Sequence, residues 1–260
     1  MKRALLASTA LMGLTVSAMA ADLPYRSSPA SYGAPPVFTW TGFHLGLNAG
    51  AIWANGSQPR LWDAAGAPFP GAITRDTPVG VSAGGTAGYN FQLGSNFVAG
   101  VEADLAWANA DRKSQLLSID RPDGVLTVTT AEFSNKLEYY VTARARLGFL
   151  ATPSLLVYAT GGLAYADVKH AGFGTSVDPG DAGIARGSKS STKWGYALGA
   201  GLEYALTGNW SVKGEYLYVG LTDTKYSLND VADGAPMAAV KEKNDFSTVR
   251  LGLNYRFGAY

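Results

Sequence analysis

Residues 43–53 read Phe-His-Leu-Gly-Leu-Asn-Ala-Gly-Ala-Ile-Trp, and this stretch decides the fold. Its odd positions are apolar with an aromatic ring at each end, and its even positions, apart from Ile52, are small or polar. Because successive side chains of a β-strand point to opposite sides, this period of two predicts a strand with one apolar face. The first strand is predicted to span residues 40–53, and the alternation recurs at residues 79–91, 97–107, 137–149, 155–165, 194–204, 210–218 and 247–257.

The apolar face is too large to fill a barrel interior. An eight-stranded barrel has just enough room inside for ordinary side chains, so it cannot enclose this many aromatic rings. We therefore predict an all-β fold, an eight-stranded antiparallel up-and-down transmembrane β-barrel with its apolar face toward lipid. The segments are close to the ~9–11 residues that a tilted strand needs to cross a bilayer. In the fifth segment Leu156 and Tyr158 make the second face mixed, so its facing is the least defined.

The connections alternate between short and long. Short turns are predicted near residues 94–96, 152–154 and 207–209, on the periplasmic side. Long extracellular loops are predicted at residues 54–78, 108–136, 167–193 and 220–246, and residues 125–130 can extend a hairpin above the membrane. Aromatic residues at both ends of the strands predict two interfacial girdles, with Trp40 on the turn side and Trp53, Trp107, Tyr139, Tyr165, Trp194 and Tyr218 on the loop side.

The N-terminus has the features of an export signal. Lys2 and Arg3 precede a short apolar run, and Ala18-Met19-Ala20 is a small-x-small cleavage site. We predict a signal peptide over residues 1–20 that is cleaved after Ala20, then a proline-rich periplasmic linker over residues 21–39. Residues 40–260 then form the barrel, which we expect in the outer membrane of the cell.

Composition narrows the function classes. The chain of 260 residues has no cysteine, 16% charged residues and a formal net charge of +1. Such a balance gives no reason to expect nucleic-acid binding. The two histidines are far apart in the sequence, and Asp178 and Asp181 flank a Pro-Gly turn, so no metal site and no cofactor are predicted.

Ten charged residues lie on the polar faces of the predicted strands. Unpaired buried ions are costly, so these residues are expected to form a charge network that fills the lumen, although a selectivity ring in a water channel is the alternative. The predicted network comprises Glu102, Asp104, Glu138, Glu203 and Glu215 with Arg144, Arg146, Lys213, Arg250 and Arg256.

Catalysis has little support in the sequence. His44 is predicted inside the barrel near its periplasmic end, and His170 is predicted in a long loop with Ser176 as the nearest following serine. A lipid-modifying barrel enzyme would need a histidine and a nucleophile near the extracellular rim. We predict no enzymatic activity and no catalytic residues, with such an enzyme as an alternative.

The last strand, residues 249–257, alternates and ends in aromatic residues, as does the signal that directs barrel insertion; Tyr255, Phe257 and Tyr260 are its candidate residues. This strand, the opening Trp-Thr-Gly-Phe-His-Leu-Gly of residues 40–46 and the leader end at residues 20–24 resemble small porin-family outer-membrane surface proteins of alphaproteobacteria, with OmpA-type barrels. The resemblance implies a surface-exposed protein with a structural role in envelope integrity, and carries over no catalytic residues.

The expected partners are outer-membrane lipid and lipopolysaccharide, periplasmic chaperones and the barrel-assembly machinery. The sequence is also compatible with a small porin that lets small solutes diffuse and with an adhesin that binds through its loops.

Overall fold

A computed structural model describes residues 39–55, 60–63, 72–76, 79–120, 127–178, 181–206, 209–232, 234 and 236–257. The predicted signal peptide, nearly all of the predicted linker and Tyr260 lie outside these ranges. No helix within them is long and apolar enough to cross a bilayer. The strands are β1 (Gly42–Ala54), β2 (Arg60–Asp63), β3 (Ala72–Asp76), β4 (Gly80–Leu93), β5 (Phe97–Asp120), β6 (Thr127–Thr152), β7 (Leu155–Asp178), β8 (Asp181–Ala205), β9 (Trp210–Leu221), β10 (Thr224–Asp230), β11 (Pro236–Glu242) and β12 (Phe246–Phe257).

Eight of these strands form the barrel. They pair antiparallel in the order β1-β4-β5-β6-β7-β8-β9-β12, and β12 pairs back onto β1 with Phe43 opposite Phe257. The closed ladder satisfies the backbone N–H and C=O groups between strands, which is what a sheet surrounded by hydrocarbon requires. The predicted eight-stranded antiparallel barrel is confirmed.

The outer face of the barrel is apolar, as the alternation predicts. Leu47 is 75% exposed, and Leu147 and Leu251 are each 68% exposed, whereas their polar neighbours along the strands point inward and are buried. The facing of β7, which its mixed sequence pattern leaves undefined, is clear in the structure: Val157 is exposed and Leu156 is buried. Ring pairs such as Phe97–Phe149 and Tyr165–Trp194, with centroids 5.6 and 4.9 Å apart, join neighbouring strands at the two ends of this belt.

Where the structure describes them, the predicted long loops are largely strand, which corrects the loop prediction. Strands β5 to β8 are 24 to 26 residues long and continue well beyond the apolar belt. Their outer parts (residues 108–120, 127–138, 167–178 and 181–193) form one sheet with the short strands, in the order β2-β11-β10-β8-β7-β6-β5-β3. We call this sheet the crown.

Polarity is reversed in the crown. Its inward side chains include Leu116, Phe133 and Leu228, which pack into an apolar cluster. Its outward face carries polar residues such as Lys113 and Lys225, which are exposed. The strands thus change from a lipid-facing exterior to a water-facing exterior without ending.

The structure corrects the predicted facings at the start of β6 and at Trp40. Glu138 was expected in the lumen, but the β6–β7 register shifts between Leu137 and Tyr139, so Leu137 turns inward and Glu138 lies outside. There the Lys169 ammonium donates a hydrogen bond of 2.8 Å to Glu138 and holds the pKa of that carboxyl below its ordinary value. Trp40 was expected in the girdle, but it is fully buried inside the barrel.

Candidate functional site

The barrel interior holds nine of the ten predicted network residues, all except Glu138. Each of the nine is at least 95% buried. They project from β5, β6, β8, β9 and β12, because alternation directs every second residue of these strands inward. The nine residues are Glu102, Asp104, Arg144, Arg146, Glu203, Lys213, Glu215, Arg250 and Arg256.

Two arginines lie at the centre of this group. Arg144 Nη2 is 2.5 Å from both Glu102 Oε1 and Asp104 Oδ2, and its Nη1 is 3.0 Å from Glu215 Oε1. Arg250 Nη2 lies 2.9 Å from Asp104 Oδ1 and 2.5 Å from Glu215 Oε1. Asp104 and Glu215 are therefore each shared between two guanidinium groups, an arrangement that compensates charge far from water.

The contacts reach across the full width of the lumen. Lys213 Nζ on β9 is 2.9 Å from Glu102 Oε2 on β5, and these strands stand on opposite sides of the barrel. Arg146 on β6 pairs with Glu203 on β8. Side chains from opposite walls therefore meet in the middle of the barrel.

Neutral residues outside the predicted network complete the carboxylate contacts. Thr86 and Thr142 donate hydrogen bonds of 2.6 and 3.1 Å to Asp104, and Tyr158 donates one of 2.9 Å to Glu215. Ser211 and Asn254 donate to Glu203 at 2.5 and 2.9 Å. All five lie on inward faces, so strand facing was the signal that could have identified them.

Arg256 is placed differently from the other cations. Its guanidinium lies 4.6 Å from the centre of the Trp40 ring, and its Nη1 donates a hydrogen bond of 2.7 Å to the Thr39 carbonyl. The Trp40 indole in turn donates to the Pro153 carbonyl at 3.1 Å. The chain entering β1 is thereby held across the turn end of the lumen.

Apolar layers lie on both sides of the charged group. At the turn end, Trp40, Val98, Leu150 and Leu156 pack together. Toward the crown, the inward side chains form a second layer that includes Ile52, Tyr140, Leu217, Val219 and Phe246. The charges therefore occupy a middle layer between two apolar ones.

His170 lies in β7 within the crown, not in a loop. Its Nδ1 is 2.6 Å from Asn135 Oδ1 and 3.1 Å from Glu242 Oε2, and its Nε2 is 3.1 Å from Thr224 Oγ1. Thr224 and Glu242 are paired at the base of the β10–β11 hairpin, so the histidine fastens this hairpin to β6 and β7. His44, in contrast, lies inside the barrel with its Nε2 3.6 Å from Glu102 Oε2.

The described ranges contain no group of three or more His, Asp or Glu side chains that could hold a metal ion.

At the C-terminal end of β12, Phe257 is exposed, and its ring centroid lies 5.8 Å from that of Phe43 and 4.9 Å from that of Tyr255. The role of these aromatics in insertion stays a prediction, and Tyr260 falls outside the described residues.

Comparison with known proteins identifies the family. The sequence model of the outer membrane protein beta-barrel domain matches residues 6–257. The 31 kDa outer-membrane immunogenic protein of Brucella melitensis is 39% identical over 99% of this chain and 100% of its own length. The 22 kDa outer membrane protein of Rhizobium leguminosarum is 28% identical over 85% of this chain and 80% of its own length.

A solved structure supports the fold. The outer membrane protein OprG from Pseudomonas aeruginosa superposes with a TM-score of 0.52 at 16% identity, covering 84% of this chain and 97% of OprG. The family match covers almost the whole sequence, and the named relatives are proteins of the outer membrane. This chain therefore belongs to the outer membrane protein beta-barrel family and lies in the outer membrane.

Proposed function

We propose that the protein is a closed structural barrel that supports envelope integrity and holds its crown at the cell surface. The observation that carries this proposal is the ion-paired middle layer of the lumen, in which Lys213 and Glu102 bridge opposite walls at 2.9 Å. A solute moving through the barrel would have to separate these pairs without water to replace them, which is unfavourable.

The apolar layers add a second barrier. A hydrated ion would have to pass two apolar layers: the one on the crown side, which contains Ile52, Tyr140 and Phe246, and the one at the turn end, which contains Trp40. Apolar constrictions exclude water and ions in channels. Open aqueous channels are typical of much larger barrels of 16 to 18 strands, so a small porin is not favoured here.

The buried histidines support a non-enzymatic role. Thr224, His170 and Glu242 have the contact order of a catalytic triad, but each is at least 98% buried, so a lipid substrate has no access to the Thr224 hydroxyl. His44 lies in the barrel interior and contacts a carboxylate that is shared with Arg144 and Lys213.

Planar-bilayer recording of the refolded protein tests the proposal. We expect no steady channel events from the unchanged protein, with a large porin as the positive control for insertion. Lipids recovered from the same membranes should have unchanged masses. Steady conductance whose ion selectivity shifts on Glu102→Gln substitution, or a newly modified lipid that disappears on His170→Ala substitution, would contradict the closed, non-enzymatic barrel.

A further inference from the structure

The outer face of the crown contains a trough across β5 to β8. Its upper part has a volume of about 680 Å³ and its lower part about 390 Å³. The two parts share Ser134, Ala171 and Ser188 and are therefore continuous. Volumes of this size are typical of small-molecule sites.

Side-chain size explains why an outward face is concave here. Ser134, Ala171 and Ser188 are register neighbours on β6, β7 and β8, and all three are short. Longer side chains lie on both sides of this row. Farther from the membrane, Glu132, Phe173 and Arg186 are register neighbours, and nearer to the membrane Lys136 is opposite Lys169. The trough is the space above the short residues.

The chemistry of the upper part suits a saccharide. The Phe173 ring is 39% exposed, and the Arg186 guanidinium lies 5.3 Å from its centre. Gln115 donates a hydrogen bond of 3.2 Å to Glu132, and Lys113 lines the same side. An exposed ring can contact the C–H face of a sugar, while planar amide, carboxylate and guanidinium groups bind its hydroxyls.

The charges are mixed. Lys113, Lys136, Lys169 and Arg186 line the trough with Glu132, and Glu138 lies at its lower rim bonded to Lys169. A site built for bare phosphate would carry cations alone, whereas a phosphorylated or acidic sugar needs both hydroxyl and anion partners.

The height of the trough indicates where the saccharide comes from. Lys169 lies four residues beyond the girdle residue Tyr165, which is about 13 Å along the strand and about 10 Å above the girdle after strand tilt. Phospholipid headgroups extend only about 5–8 Å beyond the hydrocarbon. A lipid with an extended saccharide head reaches this height beside the barrel wall.

We propose that the trough binds the saccharide part of a glycolipid in the outer leaflet of the same membrane. This proposal depends on the outer-membrane placement of the barrel and is independent of whether the lumen conducts. Phe173 provides the stacking surface, Arg186 and Gln115 bind the sugar oxygens, and the serine floor leaves room for the sugar ring.

A fluorescent reporter tests the site. Because the chain has no cysteine, Thr192→Cys gives a single labelling position just below the trough. We expect its emission to shift in phosphatidylcholine vesicles that contain rough-type lipopolysaccharide and not in vesicles that contain lipid A alone. Phe173→Ala and Arg186→Ala should each raise the lipopolysaccharide concentration that gives half of the full shift roughly tenfold.

Matched controls lie on the crown outside the trough. Val231→Ala and Arg60→Ala remove an exposed apolar and an exposed cationic side chain elsewhere and should leave the response unchanged. Heat-modifiable electrophoretic mobility checks that every variant is folded, and protection of residues 130–136 from hydrogen exchange by lipopolysaccharide gives a readout without a label. An equal response to lipid A alone, equal effects of trough and control variants, or equally tight binding of the free core oligosaccharide would each overturn the proposal.

Discussion

At the scale of single residues, the interior shows how buried charge is tolerated. Asp104 accepts hydrogen bonds from two threonines and contacts two arginines, and Glu215 contacts both arginines and accepts from Tyr158. A buried ion pair adds little by itself, but removal of one partner leaves the other charge without compensation. The network should therefore be sensitive to the loss of any one member.

Arg250→Met should destabilise the barrel by about 3–5 kcal/mol, because Asp104 and Glu215 lose a shared cation while buried. Urea unfolding in lipid vesicles, followed by tryptophan fluorescence, measures this change. Lys169→Met removes an equally well-formed but exposed pair with Glu138 and should leave the midpoint nearly unchanged. Equal midpoint shifts for the two variants would contradict the distinction between buried and exposed pairs.

At the scale of strands, the sequence predicted the barrel well and the crown poorly. The eight segments and their facings follow from side chains such as Leu47 and Leu251, because lipid selects an unbroken apolar face. The sequence does not predict the crown, because the polarity of the two faces is reversed there: in β5 the apolar Leu116 points inward and the charged Lys113 points outward. The run of outward apolar residues that indicates a lipid-facing strand therefore ends near Trp107. The network residues were predictable from alternation, whereas their partners across the lumen depend on which walls face each other.

The bulge at Glu138 could not be predicted from β6 alone. The β6–β7 register shifts between Leu137 and Tyr139, where β6 has one residue more than β7. The β5–β6 register shifts between Trp107 and Ala110, where β5 has one residue more than β6. A bulged residue interrupts the alternation of its own strand, so the odd positions of β6, which face outward in the belt, face inward in the crown. In β6 this places Phe133 and Leu137 inside the crown.

Deletion of Glu138 should therefore be tolerated by both the crown and the barrel. Without the bulged residue, Leu137 directly precedes Tyr139, so regular alternation keeps Phe133 and Leu137 inside the crown. Hydrogen exchange in residues 127–137 and 168–175 should stay slow, and the heat-modifiable mobility of the barrel should persist. Glu138→Ala keeps the residue count and should behave in the same way, so faster exchange in the deletion than in the substitution would contradict this role of the bulge.

At the scale of the whole molecule, one closed sheet passes through two solvents. Within the belt the apolar residues point out and the charges point in, and within the crown the apolar cluster is inside and the charges face out. Each region follows the rule of its own surroundings, since hydrocarbon cannot solvate charge and water does not favour exposed leucine. The bilayer boundary therefore lies where the polarity of the outward face changes, near Trp107, Tyr139 and Trp194.

Spin labels on single cysteines should locate this boundary. Labels at Leu47, Leu147 and Leu251 should collide readily with oxygen and be shielded from a water-soluble nickel complex, because hydrocarbon surrounds them. Labels at Gln115 and Ser227, which are exposed on the crown, should behave in the opposite way. Power-saturation measurements in vesicles give both accessibilities for each site. If the belt labels were open to the nickel complex, or the crown labels were shielded from it, the reversal of polarity along β5 to β8 would not reflect a change of solvent, and the outward leucines would need a protein partner instead of lipid.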